Sequence, residues 1–370
     1  MKNREELLYN IALTLIKDIG DIRAKLLIAY CGSAEAVFKE KYHNLMKIPG
    51  VGTTIAGAVT KSKVLDRAEQ EISFIEKNNI RTLFFTDEDY PKRLKHCEDS
   101  PILLYYKGNA DLNTKRIVSI VGTRRCTDYG TSLCQKLLND LAPLNVLVIS
   151  GMAYGIDICA HRAALENGMS TIGVFAHGLD DVYPGVHNST AQKMISQGGL
   201  LTEFPSDTNP DAENFPKRNR IVAGLSDAVI VIEAGKKGGA LITAELGNSY
   251  NRDVFAFPGR VGDEFSEGCN NLIKTNRAAL IQSAKDLEYI MGWESSENTS
   301  GVKNVQKQLF VDLHPDEEII VKVLKEKGKV GIDELSILSD MPMSKTATVL
   351  LTLEFSGLVR SLPGKVYQLN

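Results

Sequence analysis

Apolar residues recur along this chain at two spacings, and the spacing changes more than once. From residue 1 to about 65, Leu7, Leu8, Ile11, Leu15 and Ile16 keep helical intervals, as do Leu26, Leu27 and Tyr30, so this region reads as all-helical. Residues 66–114 read as a bridge, with a charged amphipathic helix over 66–78 and a short strand over 81–85. From Arg116 the texture becomes short apolar runs, at 117–121, 146–149, 171–175, 228–232, 254–257 and 278–281. Amphipathic segments lie between them, near 130–142, 157–167, 189–198, 240–250 and 283–291. Runs long enough for buried strands, separated by helices, predict an α/β fold: a Rossmann-like, mostly parallel sheet with helices on both faces. After Trp293 comes a polar stretch rich in Ser, Asn and Lys, which reads as a linker. Beyond it, Pro315 opens one helix, and further helices are predicted over 332–339 and from 344 to about 356. A terminal hairpin follows, turning at Leu362-Pro363-Gly364-Lys365.

The expected domains are therefore 1–65, helical; 66–292, an extended Rossmann-like domain with its core at 115–292; 293–311, a linker; and 312–370, three helices and a hairpin that resemble a winged helix. The N-terminal block also carries Ile48-Pro49-Gly50-Val51-Gly52-Thr53, a turn opening into a helix, which resembles a helix-hairpin-helix element; Ile19-Gly20-Asp21-Ile22-Arg23 looks like a degenerate first copy. Such glycines suit backbone contact with a DNA phosphate, or simply a tight turn in a protein-contact module. In the winged-helix block Lys345 is the one basic residue on the third helix and acidic residues outnumber basic ones, which favours protein contact over groove reading.

Composition adds limits. A chain of 370 residues with 43% hydrophobic and 24% charged residues is in the soluble globular class and long enough for two or three domains. A net charge of −3 gives no global pull on nucleic acid, so any such affinity must come from local clustering. No apolar stretch reaches membrane-spanning length and the N-terminus has no signal-peptide pattern. The six cysteines form no CxxC pair and read as reduced thiols, which points to the cytoplasm.

Candidate chemistry gathers after the strands of the sheet domain, where open parallel sheets bind ligands. Val121-Gly122-Thr123-Arg124-Arg125 follows the first run, and Ser150-Gly151-Met152-Ala153-Tyr154-Gly155-Ile156-Asp157 follows the second. Phe215-Pro216-Lys217-Arg218-Asn219-Arg220 precedes the run at 228–232, and Lys236-Lys237-Gly238-Gly239 follows it. Neither GxGxxG after the first strand nor a Walker A sequence is present, which argues against a dinucleotide or ATP enzyme. Several glycine turns with arginines on one rim suit a polyanion, since guanidinium forks match phosphate oxygens. Phe215 and Tyr183, each beside a proline, offer faces on which bases stack. The competing reading of the arginines is surface pairing with Asp207, Asp211 and Glu213. His161, His177 and His187 lack metal-ligand spacing, His161 reads as a core or capping residue, and Asp157 and Glu245 read as groups that cap helices. No metal or cofactor is expected.

These motifs, with Gly239-Ala240-Leu241-Ile242-Thr243-Ala244, Val254-Phe255-Ala256-Phe257-Pro258-Gly259 and Gly268-Cys269-Asn270-Asn271-Leu272-Ile273, resemble the DprA/Smf DNA-processing family over about 80–290. The resemblance implies a non-enzymatic recombination mediator that binds and protects incoming single-stranded DNA during natural transformation (competence). It also implies loading of RecA and homodimers formed through the Rossmann-like domain. It puts a phosphate-gripping arginine at Arg124 and a basic pair at Arg218 and Arg220. The expected DNA-binding set is Gly122, Arg124, Arg125, Gly151, Gly155, Phe215, Lys217, Arg218, Asn219, Arg220, Lys237, Gly238 and Gly239. The chain departs from the family at Met152-Ala153-Tyr154-Gly155, where Leu-Ala-Arg-Gly is common, at Gly238, where a serine is usual, and at Gly185-Val186-His187. The alternative is a nucleotide-processing enzyme: Gly238-Gly239-Ala240-Leu241-Ile242-Thr243-Ala244-Glu245 is faintly similar to the turn of nucleoside-monophosphate phosphoribohydrolases, with Glu245 as the acid.

Overall fold

Ile117–Val121 and Ala228–Val231 lie side by side at the centre of one sheet, with every residue of both strands buried. A computed structural model describes residues 3–293, 313–362 and 365–369. The chain divides into two compact units, Met1–Glu294 and Ser295–Asn370.

Among the described residues of the first unit, nine strands form the sheet: β1 (Arg81–Phe84), β2 (Leu103–Gly108), β3 (Ile117–Val121), β4 (Leu147–Ser150), β5 (Thr171–Val174), β6 (Gly198–Thr202), β7 (Ala228–Val231), β8 (Asp253–Ala256) and β9 (Ala279–Leu280). Their spatial order is β1-β2-β6-β5-β4-β3-β7-β8-β9. All pairings from β6 to β9 are parallel, while β2 joins β6, and β1 joins β2, antiparallel. The chain builds outward from β3 in one direction through β4, β5 and β6, then returns to its other flank with β7. The strand order therefore reverses between β3 and β7, which opens a crevice at their carboxyl ends.

Period-two alternation distributes each strand's side chains to two cores. Ile117, Val121, Ile149, Val174, Val229 and Val231 pack against helices Asn214–Leu225 and Gly239–Ser249 on one face. Val118, Ile120, Val148 and Ile230 pack against helices Asp128–Leu141, Ile156–Glu166 and Ala284–Met291 on the other. The doubly covered sheet expected from the sequence is the one observed.

Some elements fall outside the predicted pattern. β6 begins with two glycines, which break an apolar run. Its backbone passes so close to β2 that a side chain on Gly108 would strike the Gly198 carbonyl, and one on Gly199 would strike the Tyr106 ring. Helix Asn214–Leu225, which contains the Lys217-to-Arg220 cluster, and helix Glu267–Lys274 are likewise unpredicted.

No break occurs at residue 65. Ile11, Leu27, Val37, Ile55 and Ile72 of the N-terminal helices share one core with Ile80, Phe84, Ile102, Leu103 and Tyr105 around β1 and β2. The Pro49-Gly50-Val51-Gly52 turn stands at the start of helix Thr53–Thr60, with Val51 buried and Gly50 at φ +81°, a conformation that favours glycine.

The second unit has helices Pro315–Lys327, Ile332–Leu338 and Met343–Phe355 around Ile320, Leu324, Leu335, Leu350 and Leu353. Strands β10 (Val330–Gly331), β11 (Val359–Leu362) and β12 (Val366–Leu369) are ordered β10-β12-β11, a winged helix. The expected linker after Trp293 and the Pro363-Gly364 turn lie outside the described residues.

Candidate nucleic-acid interface

A cleft of about 960 Å³ opens at the β3/β7 reversal. Its first wall is the Gly122–Arg125 loop, held from two directions. Thr123 N–H donates to the Glu233 carbonyl at 2.8 Å, and the Thr123 carbonyl accepts from Ile156 N–H at 3.2 Å. Gly122 leaves room for the Ile156 side chain, and Gly155, at φ +76°, lies against the Thr123 carbonyl. Glu233 also accepts from Thr127 N–H (2.9 Å) and from the Thr127 hydroxyl (2.5 Å), while the same hydroxyl accepts from Gly130 N–H to cap helix Asp128–Leu141. Glu233 thus fixes the loop that presents Arg124. The acidic residue directly after an apolar strand was its only trace in the sequence.

Arg124 and Arg125 are both exposed. The Arg124 guanidinium lies 5.4 Å from the Phe215 ring centroid, and Arg125 lies 5.3 Å from that of Phe265 while pairing with Glu264 at 3.1 Å. The ion pair is largely exposed and contributes little.

The second wall is the turn after β4. His161, completely buried, engages the Gly151 carbonyl through Nε2 (2.6 Å) and the Thr171 hydroxyl through Nδ1 (2.7 Å). Burial pushes its pKa down to about 4, so it is a neutral clamp on the turn. Asp157 lies beneath Gly151 and accepts from Ala153 N–H at 3.4 Å. Burial raises it to about 6, against the pull of the Arg218 charge.

Helix Asn214–Leu225 is the third wall, and its period sorts the basic cluster. Asn214, Arg218, Ile221, Val222 and Leu225 recur at helical intervals and are buried. Arg218 therefore points inward: it donates to the Val174 carbonyl, packs against Gly151, and has its pKa lowered by burial. Lys217 faces solvent, 3.9 Å from Glu213. Asn219 reaches the Gly239 carbonyl at 3.4 Å, joining this helix to the Lys236–Gly239 turn at the start of helix Gly239–Ser249.

Of the expected set, Gly122, Arg124, Arg125 and Gly151 meet in the cleft with Phe215, Arg218, Asn219, Lys237, Gly238 and Gly239. Gly155 supports the first wall from behind, and Lys217 stands on the outer face of its helix. Arg220 is elsewhere: its guanidinium pairs with Glu203 and with Asp21, the latter at 3.0 Å, and donates to the Asp99 carbonyl. As a direct grip in this cleft it is set aside, because the helical turn between Arg218 and Arg220 points them in different directions. Competing pairs with Asp207 or Asp211 do not involve Arg124, Arg218 or Arg220 in the described contacts.

Beside the cleft, sharing Arg124, Phe215 and Arg218 with it, is a niche of about 110 Å³. Tyr154, Phe175, His177 and Tyr183 line it. The ring centroids of Tyr183 and Phe215 are 6.4 Å apart, and those of His177 and Tyr183 6.5 Å apart in an edge-on arrangement. The sequence marked Tyr183 and Phe215 as separate platforms; the fold puts them in one place. Glu245, the acid of the enzymatic alternative, is on the surface in a 3.0 Å pair with Arg277 and does not line the cleft.

The family model for DNA recombination-mediator protein A matches residues 81–291, and that for the DprA winged helix domain matches 311–365. The chain is 31% identical to "Protein Smf" of a Synechocystis species, over the whole of both chains. It is similar to the solved structure of DNA processing protein A from Streptococcus pneumoniae, with a TM-score of 0.66 and 32% identity, covering 78% of this chain and 98% of that one. A DNA processing protein A from Helicobacter pylori, itself described for its single-stranded DNA binding mode, aligns with a TM-score of 0.53 at 32% identity over 57% of this chain and 95% of the other.

Proposed function

The chain belongs to the DNA recombination-mediator protein A (DprA/Smf) family, and we propose that it binds single-stranded DNA along the β3/β7 cleft and serves as a recombination mediator, not an enzyme. It protects incoming strands in the cytoplasm during natural transformation, passes them to RecA, and works as a homodimer paired through the sheet domain. The observation that carries the DNA reading is Arg124 over the Phe215 ring, on the border between a basic cleft and an aromatic niche. A phosphate on the cleft side and a base on the niche side would each meet the chemistry they require. The solved Helicobacter pylori relative, whose subject is single-stranded DNA binding, supports the same ligand class.

The test is fluorescence anisotropy with a labelled oligothymidylate of a dozen or more bases, titrated at several salt concentrations. Arg124→Ala is expected to weaken binding about tenfold and to lower the salt slope by about 0.7, the loss of one phosphate contact on a single strand. Unchanged affinity would sink the assignment. Release of free base from a nucleotide panel would favour the phosphoribohydrolase-like reading instead.

A further inference from the structure

Arg220 stands in the same basic cluster as Arg218, yet its environment is that of an internal joint. Its side chain is 13% exposed and Glu203, its partner from the end of β6, 12%. The same guanidinium reaches Asp21 at 3.0 Å and the backbone carbonyl of Asp99. Two of these partners are held in turn. Asp21, at the start of helix Asp21–Cys31, accepts from Ile102 N–H at 2.9 Å, and the Asp99 carboxylate accepts from the Tyr250 hydroxyl at 2.7 and 2.8 Å. One side chain on the cleft-wall helix therefore joins the N-terminal helical region, the segment before β2 and the end of β6. Burial alone would depress its pKa, and the surrounding carboxylates more than offset this, so the charge is retained.

We propose that Arg220 is a positioning residue: it ties the N-terminal helices to helix Asn214–Leu225 and so sets the placement of Phe215 and Arg218 in the cleft without touching a phosphate. The proposal rests on the DNA-binding reading. It also gives the degenerate Gly20-Asp21 turn a role as a docking point in place of a DNA contact.

A strut and a phosphate grip differ in two measurable ways. A buried strut releases no counterions when DNA binds, whereas a phosphate contact adds about 0.7 to the single-strand salt slope. A strut also depends on its partner carboxylate. In the full chain, Arg220→Gln and Asp21→Asn should each weaken oligothymidylate binding by roughly tenfold, and the double variant should be no weaker than the worse single one. The salt slope should stay at the wild-type value in all three. The idea is overturned if Arg220→Gln lowers the slope by about 0.7 while Asp21→Asn leaves affinity unchanged or tightens it. Amide hydrogen exchange keeps the question open to decision where Arg220→Gln fails to fold or the wild type binds no DNA. Faster exchange in Asn214–Leu225 of Asp21→Asn supports the strut, and unchanged exchange there refutes it. Absence of wild-type DNA binding would remove the proposed function separately.

Discussion

Asp157 shows how much a single residue in this site depends on its surroundings. It lies under the cleft floor, and burial lifts it from an ordinary value near 3.8 to about 6. Between these values the folded protein holds a proton that the unfolded chain has released, so this group's stabilising contribution is lost as pH rises through about 6. A DNA backbone over the cleft favours the same neutral form. Binding is therefore expected to be tighter at pH 5.5 than at pH 7.5 in wild type, while Asp157→Asn binds more tightly than wild type at pH 7.5 and loses that part of the pH dependence. Anisotropy titrations of both proteins at the two pH values check this, and a wild-type response equal to that of the variant would refute it. The residue types of the site were legible from the start: the arginine after β3, the glycine turns and Phe215 all reach the cleft. Which way each basic residue points was not. Lys217, Arg218 and Arg220 are neighbours in the chain but face solvent, the cleft floor and a partly buried pair of carboxylates in turn.

That sorting belongs to an element the pattern did not reveal. The segment from Asn214 to Leu225 has a proline and four polar residues in its first half, so its apolar stripe emerges only when Asn214 and Arg218 are counted on the buried side. β6 escaped for a related reason: its glycines answer to the neighbouring strand, not to the period of their own. Gly108 on β2 faces Gly199 across that pairing, and any added Cβ would meet the Gly198 carbonyl. Gly108→Ala should therefore cost about 1–3 kcal/mol, the usual range for forcing atoms into a packed site. Urea unfolding measures it. A loss below about 0.5 kcal/mol would mean that the β2–β6 pairing is looser than described. The salt slope of DNA binding should not change, because β2 and the cleft are on separate parts of the sheet.

At the scale of the molecule, the N-terminal helices are part of the sheet unit. Removing residues 1–65 would uncover Ile80, Phe84, Ile102, Leu103 and Tyr105, which those helices bury. The truncated chain is expected to aggregate on expression or to bind a hydrophobic dye strongly, whereas a chain ending at Trp293 keeps its unit's cores intact and should unfold cooperatively. Thermal unfolding and dye binding of the two proteins check this, and a soluble, cooperatively folding chain from residue 66 would restore the boundary that the spacing of apolar residues suggested. The sequence by itself determined the α/β class, the winged-helix unit and the family, because apolar runs and fixed glycine–arginine spacings are local signals. Only the tertiary structure decided where the N-terminal region ends energetically, which arginine lines the cleft and which meets a carboxylate, and that Tyr183 meets Phe215 beside Arg124. Those outcomes depend on groups from distant parts of the chain meeting in space, and on burial raising or lowering the cost of each charge once they meet.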